Sequence, residues 1–238
     1  MLEREEIKET AENYGKEITI GVLGSHSAEE VGIAAKSFGF QTVVICQKGR
    51  EELYAKHNKH LFDKIIILDK FSDIASEAVQ KKLLEMNTIF IPNRSFSVYV
   101  GYDAIENDFK VPIYGNRALL RTEERNETKN QYWLLENAGI RTPKNFDSPH
   151  DIDRLVIVKV QQKHRPKERA FFYCNSYDEF KKKSEELIEK DIINESDLEH
   201  ARIEEFILGQ KFNANFHGWA LKEIGDFDFL GFDERKQT

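Results

Sequence analysis

The chain has 238 residues, of which 40% are hydrophobic and 32% charged, so it can bury one large core or two smaller ones and holds one or two domains. Its net charge of −7 disfavours nucleic acid and anionic membranes as partners, unless a local basic patch overrides the mean. No apolar run approaches the ~18 residues that cross a bilayer. The charged start has neither a signal core nor a transit pattern, and we expect a cytoplasmic protein.

The first 125 residues alternate between strand and helix patterns. Strands are predicted at 17–23, 41–46, 64–68, 88–93 and 111–116. Helices are predicted from Ala28 to a stop at Gly39 and over 72–86, with Ser72 as N-cap. Strands separated by helices predict a parallel sheet with helices on both faces. Cys46 and Cys174 lie in apolar runs and are interpreted as buried strand cysteines rather than a disulfide.

From residue 126 the pattern changes, which predicts two domains, 1–125 and 126–238. The following patterns favour an α+β lobe: a helix over 126–139, a hairpin of 156–162 with 169–175, a helix over 176–190, and β-rich runs at 201–207, 211–220 and 226–235.

The turn Gly24-Ser25-His26-Ser27 joins the first strand to a helix. Ligands of parallel sheets collect beyond the carboxyl ends of the strands, and a helix start offers free N–H groups to a phosphate or carboxylate. Residues 93–97 follow another strand of the same sheet. The alternative is an ordinary N-cap with a loop histidine.

A second candidate site combines two lysines with a segment that carries two carboxylates. It consists of Lys129, Lys159 and the segment 203–206. Lys159 closes an apolar run and is predicted to point from a strand end, where a lysine can hold a phosphate. Glu204 and Glu205 are predicted to lie on opposite faces of a strand. The alternative is a surface ion-pair patch. The basic segment 163–169 could grip phosphates or be a solvated hairpin tip.

These motifs occur in the order of a known family. The segments GSHS, PNRSFSVYVGYDAIENDFKVPIYGNRALLR, ENAGIRTPKNF, VIVK, IEEFILG and LGFDER resemble the archaeal formate-dependent FAICAR synthetases (PurP) from about Glu17 to Thr238. The resemblance implies an α/β fold, with a parallel-sheet pre-ATP-grasp domain over 1–125 and an incomplete ATP-grasp α+β domain over 126–238.

The resemblance also implies an activity and its ligands. The family joins formate to 5-aminoimidazole-4-carboxamide ribonucleotide (AICAR), using ATP and Mg²⁺, in purine synthesis. By matching position, AICAR is expected at His26 and Ser95. ATP is expected at Lys129, Lys159, Glu204, Glu205, Phe206, Ile207 and Gln237. No residue is assigned as catalytic.

The sequence departs from the family pattern at several points. Arg94 replaces a glycine, a glycine-free basic segment replaces the Gly-rich phosphate loop, and Gln237 replaces a glutamate. The family's metal-binding glutamates are expected beyond Thr238, so no metal ligand is assigned within the chain. Two hypotheses remain: a ligase cut short, whose uncovered surface would favour a homo-oligomer, or a nucleotide-binding homologue that performs no ligation.

Overall fold

A computed structural model describes residues 2–25, 27–124, 127–161, 169–218 and 226–234, with the backbone alone at 161 and 169. The chain divides into two compact units. One contains Met1–Gln131 and Asn215–Gly231, and the other contains Tyr132–Ala214 and Phe232–Thr238. The assignment of 1–125 and 126–238 to a pre-ATP-grasp domain and a partial ATP-grasp domain stays a prediction.

The first unit is built on a four-stranded parallel sheet with the order β3-β2-β1-β4. Its strands are β1 (Thr19–Leu23), β2 (Gln41–Gln47), β3 (Lys64–Leu68) and β4 (Thr88–Phe90). Their β-branched and apolar runs suit strands that are covered on both faces. The prediction of a parallel sheet in this half is therefore confirmed.

The prediction of a fifth strand at 111–116 is wrong. Only one parallel bridge forms there, between Phe90 and Ile113. The amide of Phe90 donates to the carbonyl of Pro112 at 2.8 Å, and the amide of Tyr114 donates to the carbonyl of Phe90 at 2.9 Å. Pro112 has no N–H to give to a ladder, which limits pairing at this edge.

Helices accompany the parallel sheet. The α-helices are α1 (Arg4–Glu12), α2 (Ala28–Ser37), α3 (Glu77–Glu85), α4 (Arg94–Val100) and α5 (Tyr102–Asn107). A π-helical segment covers Leu53–His57, and 3₁₀ segments cover Lys59–Leu61, Phe71–Ala75 and Arg117–Glu123.

The helix predicted over 72–86 is broken into two pieces, and Ser72 is not its N-cap. Ser76, with extended φ and ψ, separates the 3₁₀ segment from α3. Ile74, Val79 and Leu83 are nevertheless buried, as the apolar spacing predicted. The spacing therefore located the buried positions but not the break.

Both faces of the central strands β1 and β2 are buried. Alternate residues of β1 and β2 enter two clusters because successive side chains point to opposite faces. Leu23 and Ile45 join a cluster with α3, α4 and α5, whereas Val22 and Cys46 join a smaller one with α2. Polar groups that could contact a ligand are therefore expected at the two ends of the strands.

The second unit contains a four-stranded antiparallel sheet with the order β5-β8-β6-β7. Its strands are β5 (Asn145–Phe146), β6 (Val156–Gln161), β7 (Arg169–Cys174) and β8 (Arg202–Glu205). Its helices are α6 (Gln131–Asn137), α7 (Tyr177–Glu189) and α8 (Glu195–Glu199), with a 3₁₀ segment at Pro149–Asp151. The predicted hairpin of 156–162 with 169–175 is confirmed by β6 and β7.

One face of the antiparallel sheet carries the core of this unit. Val156, Val158 and Ile203 are buried there with Phe180 of α7. Ser176 caps α7, since its hydroxyl accepts a hydrogen bond from the amide of Glu179 at 3.3 Å. Cys174 is buried in this core and Cys46 in the parallel sheet, both as free thiols, as predicted.

A two-stranded sheet of β9 (Asn213–Gly218) and β10 (Phe227–Asp233) completes the described elements. Its aromatic side chains are more than half exposed: Phe216, Phe227, Phe229 and Phe232. No helix among the described residues is long and apolar enough to span a membrane.

Candidate functional site

The carboxyl edge of the parallel sheet brings two predicted segments together. The turn after β1 and the start of α4 after β4 adjoin because β1 and β4 are neighbouring strands. The buried side chain of Asn93 links them, since Nδ2 donates to the carbonyls of Leu23 at 3.0 Å and Ser25 at 2.9 Å. Its Oδ1 accepts from the amide of Phe96 at 3.2 Å, which caps α4.

Ser95 is one of the two residues predicted to contact AICAR, and it faces the turn after β1. Its hydroxyl donates to the hydroxyl oxygen of Ser25 at 2.9 Å. A pair of hydroxyls uses one proton between its members and leaves the other available for donation to an anion. His26, the other predicted AICAR contact, lies outside the described residues.

Gly24 explains why this turn approaches the sheet so closely. A Cβ at this position would lie 2.8 Å from Sγ of Cys46 and 2.9 Å from the ring of Tyr54. Burial raises the pKa of the Cys46 thiol to about 12. Cys46 is therefore a neutral packing residue beneath the turn rather than a nucleophile.

Arg94, which departs from the family pattern, is already paired. Its guanidinium donates to Glu123 at 3.0 Å and to Glu124 at 3.2 Å. Glu124 also accepts a hydrogen bond from the hydroxyl of Tyr102 at 2.8 Å. The charge that Arg94 adds beside Ser95 is consequently balanced by carboxylates.

A second candidate site lies on the face of the antiparallel sheet opposite its core. Lys159 lies inside β6 rather than at a strand end, so that part of the prediction is wrong. It is directly opposite Arg202 of β8 and Phe171 of β7. Directly opposed residues share a face, which places two cations beside an exposed aromatic ring.

Glu204 lies between these cations and is only 6% exposed. Lys159 Nζ donates to its Oε2 at 2.5 Å, the hydroxyl of Tyr132 donates to its Oε1 at 3.1 Å, and Arg202 Nε forms an ion pair with it. Burial alone would raise the pKa of Glu204, but the Lys159 hydrogen bond and the two positive charges outweigh it, and the pKa is lowered. The cluster thus contains two cations and one carboxylate.

Glu205 points away from this cluster, in agreement with the prediction of opposite faces. Its carboxylate accepts from the amide of Lys144 and from Arg154, each at 3.2 Å, and these hydrogen bonds lower its pKa. The amide of Phe206 donates to the carbonyl of Leu155 at 2.9 Å.

The remaining predicted ATP contacts occupy different surroundings. The Phe206 ring packs edge-on against Tyr173, with centroids 4.7 Å apart, and Ile207 is 57% exposed. Lys129 lies in the turn before α6 and belongs to the first unit, whereas Lys159 belongs to the second. Gln237 and most of the basic segment, 162–168, lie outside the described residues. The ATP assignments stay predictions.

The Mg²⁺ expected from the family does not fit the described part of the chain. There, no group of three or more His, Cys, Asp or Glu side chains could hold a metal ion. The carboxylates of Glu204 and Glu205 are each held by cations of the protein. These two groups are therefore not oriented as a shared set of hard-metal ligands.

Three contributors to these sites carry no clear signal in the sequence. Asn93 is a lone amide within a polar turn, Tyr132 lies in a helix pattern, and Arg202 lies in a β-rich run. Asn93 and Tyr132 reach partners that are distant in sequence, 70 residues for Asn93 and Leu23 and 72 for Tyr132 and Glu204. Asparagine is a favoured N-cap, but the sequence pattern predicts no helix directly after residue 93.

Comparison with known proteins confirms the resemblance. A family described as "Protein of unknown function (DUF1246)" matches residues 20–146, and "Domain of unknown function (DUF1297)" matches 179–238. A Methanopyrus kandleri protein named 5-formaminoimidazole-4-carboxamide-1-(beta)-D-ribofuranosyl 5'-monophosphate synthetase is 42% identical over 100% of this chain. The match covers 64% of that relative, so the chain spans slightly less than two thirds of its length.

Solved structures show the same fold. An IMP biosynthesis protein PurP from Thermococcus kodakaraensis matches with a TM-score of 0.60 and 23% identity, over 91% of this chain and 59% of that protein. An N5-carboxyaminoimidazole synthetase from Staphylococcus aureus complexed with ADP matches with a TM-score of 0.51 and 14% identity, over 92% of this chain and 54% of that one. By its sequence match, this chain belongs to the DUF1246 family, among whose relatives are the archaeal FAICAR synthetases.

Proposed function

We propose that this chain belongs to an ATP-dependent ligase that formylates AICAR to FAICAR with formate. The observation that carries the proposal is the relative named as the corresponding synthetase, which is 42% identical over the whole of this chain. The likeness in fold to a synthetase that was crystallised with ADP supports the use of ATP. The chain spans 64% of that relative, so the activity is proposed for the protein that contains this chain.

The chemistry requires activation of a poor electrophile. A formate oxygen attacks the γ-phosphorus of ATP, the bond to the bridging oxygen breaks, and ADP leaves with formation of formyl phosphate. The 5-amino nitrogen of AICAR then attacks the formyl carbon. The carbon–oxygen bond to phosphate breaks and the nitrogen loses a proton, which yields FAICAR and inorganic phosphate. Catalysis of such transfers consists mainly of positioning and charge neutralisation.

The first unit supplies groups that suit the nucleotide substrate. The hydroxyls of Ser25 and Ser95 lie 2.9 Å apart at the carboxyl edge of the parallel sheet. Asn93 holds both segments in place from behind through its bonds to Leu23 and Ser25. These residues would orient AICAR by hydrogen bonds that the rigid sheet preorganises.

The second unit supplies groups that suit a nucleoside triphosphate. Lys159 and Arg202 pair with the one buried carboxylate of Glu204, which fixes where both lie and leaves the cluster with a net positive charge. The exposed Phe171 and Ile207, with the ring of Phe206, offer apolar surface of the kind that contacts a base. No step is assigned to Mg²⁺, because the described residues do not provide its ligands.

The test is an assay with AICAR, formate, ATP and MgCl₂, followed by FAICAR absorbance and by phosphate release. Two matched pairs of variants locate the sites. Ser95→Ala is compared with Ser97→Ala on the same helix, and Lys159→Met is compared with Lys181→Met, whose lysine forms an exposed pair with Glu185.

We expect the first member of each pair to lose turnover and the second to keep it. Removing one hydrogen bond to a bound substrate costs on the order of 1 kcal/mol, or about 5-fold. Formate-dependent phosphate release that both Ser95→Ala and Lys159→Met retain in full would contradict the placement. AICAR binding without turnover by the complete protein would favour the nucleotide-binding alternative over the ligase.

A further inference from the structure

We propose that Arg50 is the phosphate-binding cation at the carboxyl edge of the parallel sheet, where it takes the phosphomonoester of a nucleotide. The identity of that nucleotide as AICAR rests on the proposed function. The recognition of a phosphate rests on the surroundings of Arg50 alone.

Arg50 occupies a strand end beside the turn that carries Ser25. It follows β2 in a tight turn, in which its amide donates to the carbonyl of Gln47 at 2.9 Å and Gly49 has a φ of +88°. β2 pairs with β1, and the amide of Gly24 donates to the carbonyl of Ile45 at 2.8 Å. Arg50 and Ser25 therefore follow adjacent strands at the same edge.

Two aromatic rings, one of them on α4, contact the exposed guanidinium of Arg50. Its Cζ lies 5.7 Å from the ring centroid of Phe71 and 5.9 Å from that of Tyr99. Tyr99 lies four residues after Ser95 on α4, and residues spaced in this way share a helix face. Tyr99, and with it the guanidinium, therefore lies on the same side of α4 as Ser95, about one helical turn further along.

Arg50 differs from Arg94 in its partners. Among the residues that the structure describes, no carboxylate forms an ion pair with it. The neighbouring Glu51 instead accepts from the amide of Gly49 at 2.6 Å. Arg94, at the same edge, shows the opposite arrangement, because Glu123 and Glu124 both bind it.

An arginine that stacks on rings keeps its N–H donors at the edges of the guanidinium plane. That planar fork matches the geometry of phosphate oxygens and supports paired hydrogen bonds. The stacking fixes the cation without consuming those donors. A phosphomonoester placed beside Arg50 would also come within reach of the available hydroxyl of Ser25. Arg50 and Ser25, which follow adjacent strands, would then share one phosphate.

The competing explanation is that Arg50 only covers the rings of Phe71 and Tyr99. A covering role predicts a change in stability with no dependence on a phosphate. The experiment therefore compares ligands that differ by the phosphate alone. Calorimetry with the full chain measures binding of AICAR, its nucleoside without phosphate, and ribose 5-phosphate to the wild type, Arg50→Ala, Arg50→Lys and Lys64→Ala.

Lys64→Ala is the matched control, because Lys64 is an exposed cation at the opposite, amino end of the same sheet. We expect Arg50→Ala to lower the affinity for AICAR and for ribose 5-phosphate by about 10- to 100-fold. Its affinity for the nucleoside should equal that of the wild type. Arg50→Lys should retain part of the affinity, since it keeps the charge and loses the fork. Lys64→Ala should bind all three within about 2-fold of the wild type.

The outcomes separate this proposal from the proposed function. Binding of ribose 5-phosphate that depends on Arg50, without binding of AICAR, would sustain the phosphate site and contradict AICAR as the ligand. Equal affinity of the wild type and Arg50→Ala for both phosphates would overturn the role of Arg50, as would failure of the wild type to bind either phosphate. A melting temperature close to that of the wild type shows that Arg50→Ala is folded.

Discussion

The two four-stranded sheets place their candidate sites in different ways. The parallel sheet is buried on both faces of its central strands, and its polar groups gather at the carboxyl ends of strands, around Ser25 and Ser95. The antiparallel sheet buries one face, and its other face carries Lys159, Arg202 and Glu204. A sheet covered on both sides leaves only its ends for chemistry, whereas a half-covered sheet can use a face.

The largest expected effect tests how much a residue on a covered face of the parallel sheet contributes to the free energy of unfolding. Phe90 of β4 is fully buried and packs against Phe96 and Phe109, with ring centroids 4.6 and 5.5 Å away. Phe90→Ala should lower the free energy of unfolding by about 3–5 kcal/mol because it leaves a cavity. Urea denaturation measures the change.

The matched variant is Phe171→Ala, on the open face of the antiparallel sheet, where the side chain is 59% exposed. Its cost should be within about 0.5 kcal/mol. Similar losses from both substitutions would remove the contrast between a sheet covered on both faces and a sheet with one open face.

The next effect concerns the cation cluster of the open face. Lys159→Met leaves the buried carboxylate of Glu204 with Arg202 and Tyr132 as partners. The free energy of unfolding should fall by about 1–3 kcal/mol, the usual cost of an incompletely paired buried group. Lys181→Met removes only an exposed i,i+4 pair and should cost less than about 0.5 kcal/mol. A larger loss from Lys181→Met would show that the buried pair is not the stronger constraint.

A smaller effect appears as a dependence of stability on pH. The folded-state pKa of Glu204 is lowered, although burial opposes this, because Lys159 and Arg202 favour the carboxylate. Its contribution is therefore fully present above the unfolded-state pKa, about 4.3, and is lost as pH falls through the folded-state pKa. Glu204→Gln should lower stability at pH 7 and progressively less below pH 4.3.

The control for this titration is Glu205→Gln, at the adjacent and more exposed residue. Its pKa is also lowered, by the Lys144 amide and then by Arg154, but solvent screens these interactions. Its pH-dependent difference from the wild type should be the smaller one in acid denaturation followed by circular dichroism. A larger difference for Glu205→Gln would contradict the assignment of Glu204 as the buried partner.

The smallest expected effect separates the two arginines of the parallel sheet's edge. Arg94→Ala removes partly exposed ion pairs with Glu123 and Glu124 and should change the free energy of unfolding by at most about 1 kcal/mol. The affinity of the Arg94→Ala variant for ribose 5-phosphate should stay within about 3-fold of the wild type, because the charge of Arg94 is already balanced by carboxylates. An effect as large as that of Arg50→Ala would show that Arg94 is the phosphate ligand instead.

Local sequence patterns predicted elements well where near neighbours decide the backbone. The parallel strands, the hairpin of β6 with β7 and the capped helix α7 all follow from period and turn residues. The errors occur where tertiary partners intervene. Residues 111–116 pair through a single bridge beside Pro112, and Lys159 lies inside a strand whose neighbours are set by β7 and β8. The helix α4 was expected only as a strand-end loop.

The candidate sites were predictable by position more than by contact. Parallel strands imply a ligand edge, which brought attention to the turn after β1 and to Ser95. The residues alone also indicated Lys159 and the segment 203–206, and the family pattern added Ile207 and the assignment of this set to ATP. Neither source could distinguish Glu204 from Glu205, because adjacent strand residues differ only in which face the rest of the fold covers.

The sequence by itself determined the alternation of strands and helices, the buried cysteines and the family. Only the tertiary structure decided that Arg94 is neutralised whereas Arg50 stacks on two rings, and that Asn93 braces two strand ends. Backbone conformation depends mainly on residues within a few positions, since sterics and local hydrogen bonds act at short range. The partner of a charged or polar side chain is set by the fold, here 45 residues away for Lys159 and Glu204 and 70 for Ser95 and Ser25.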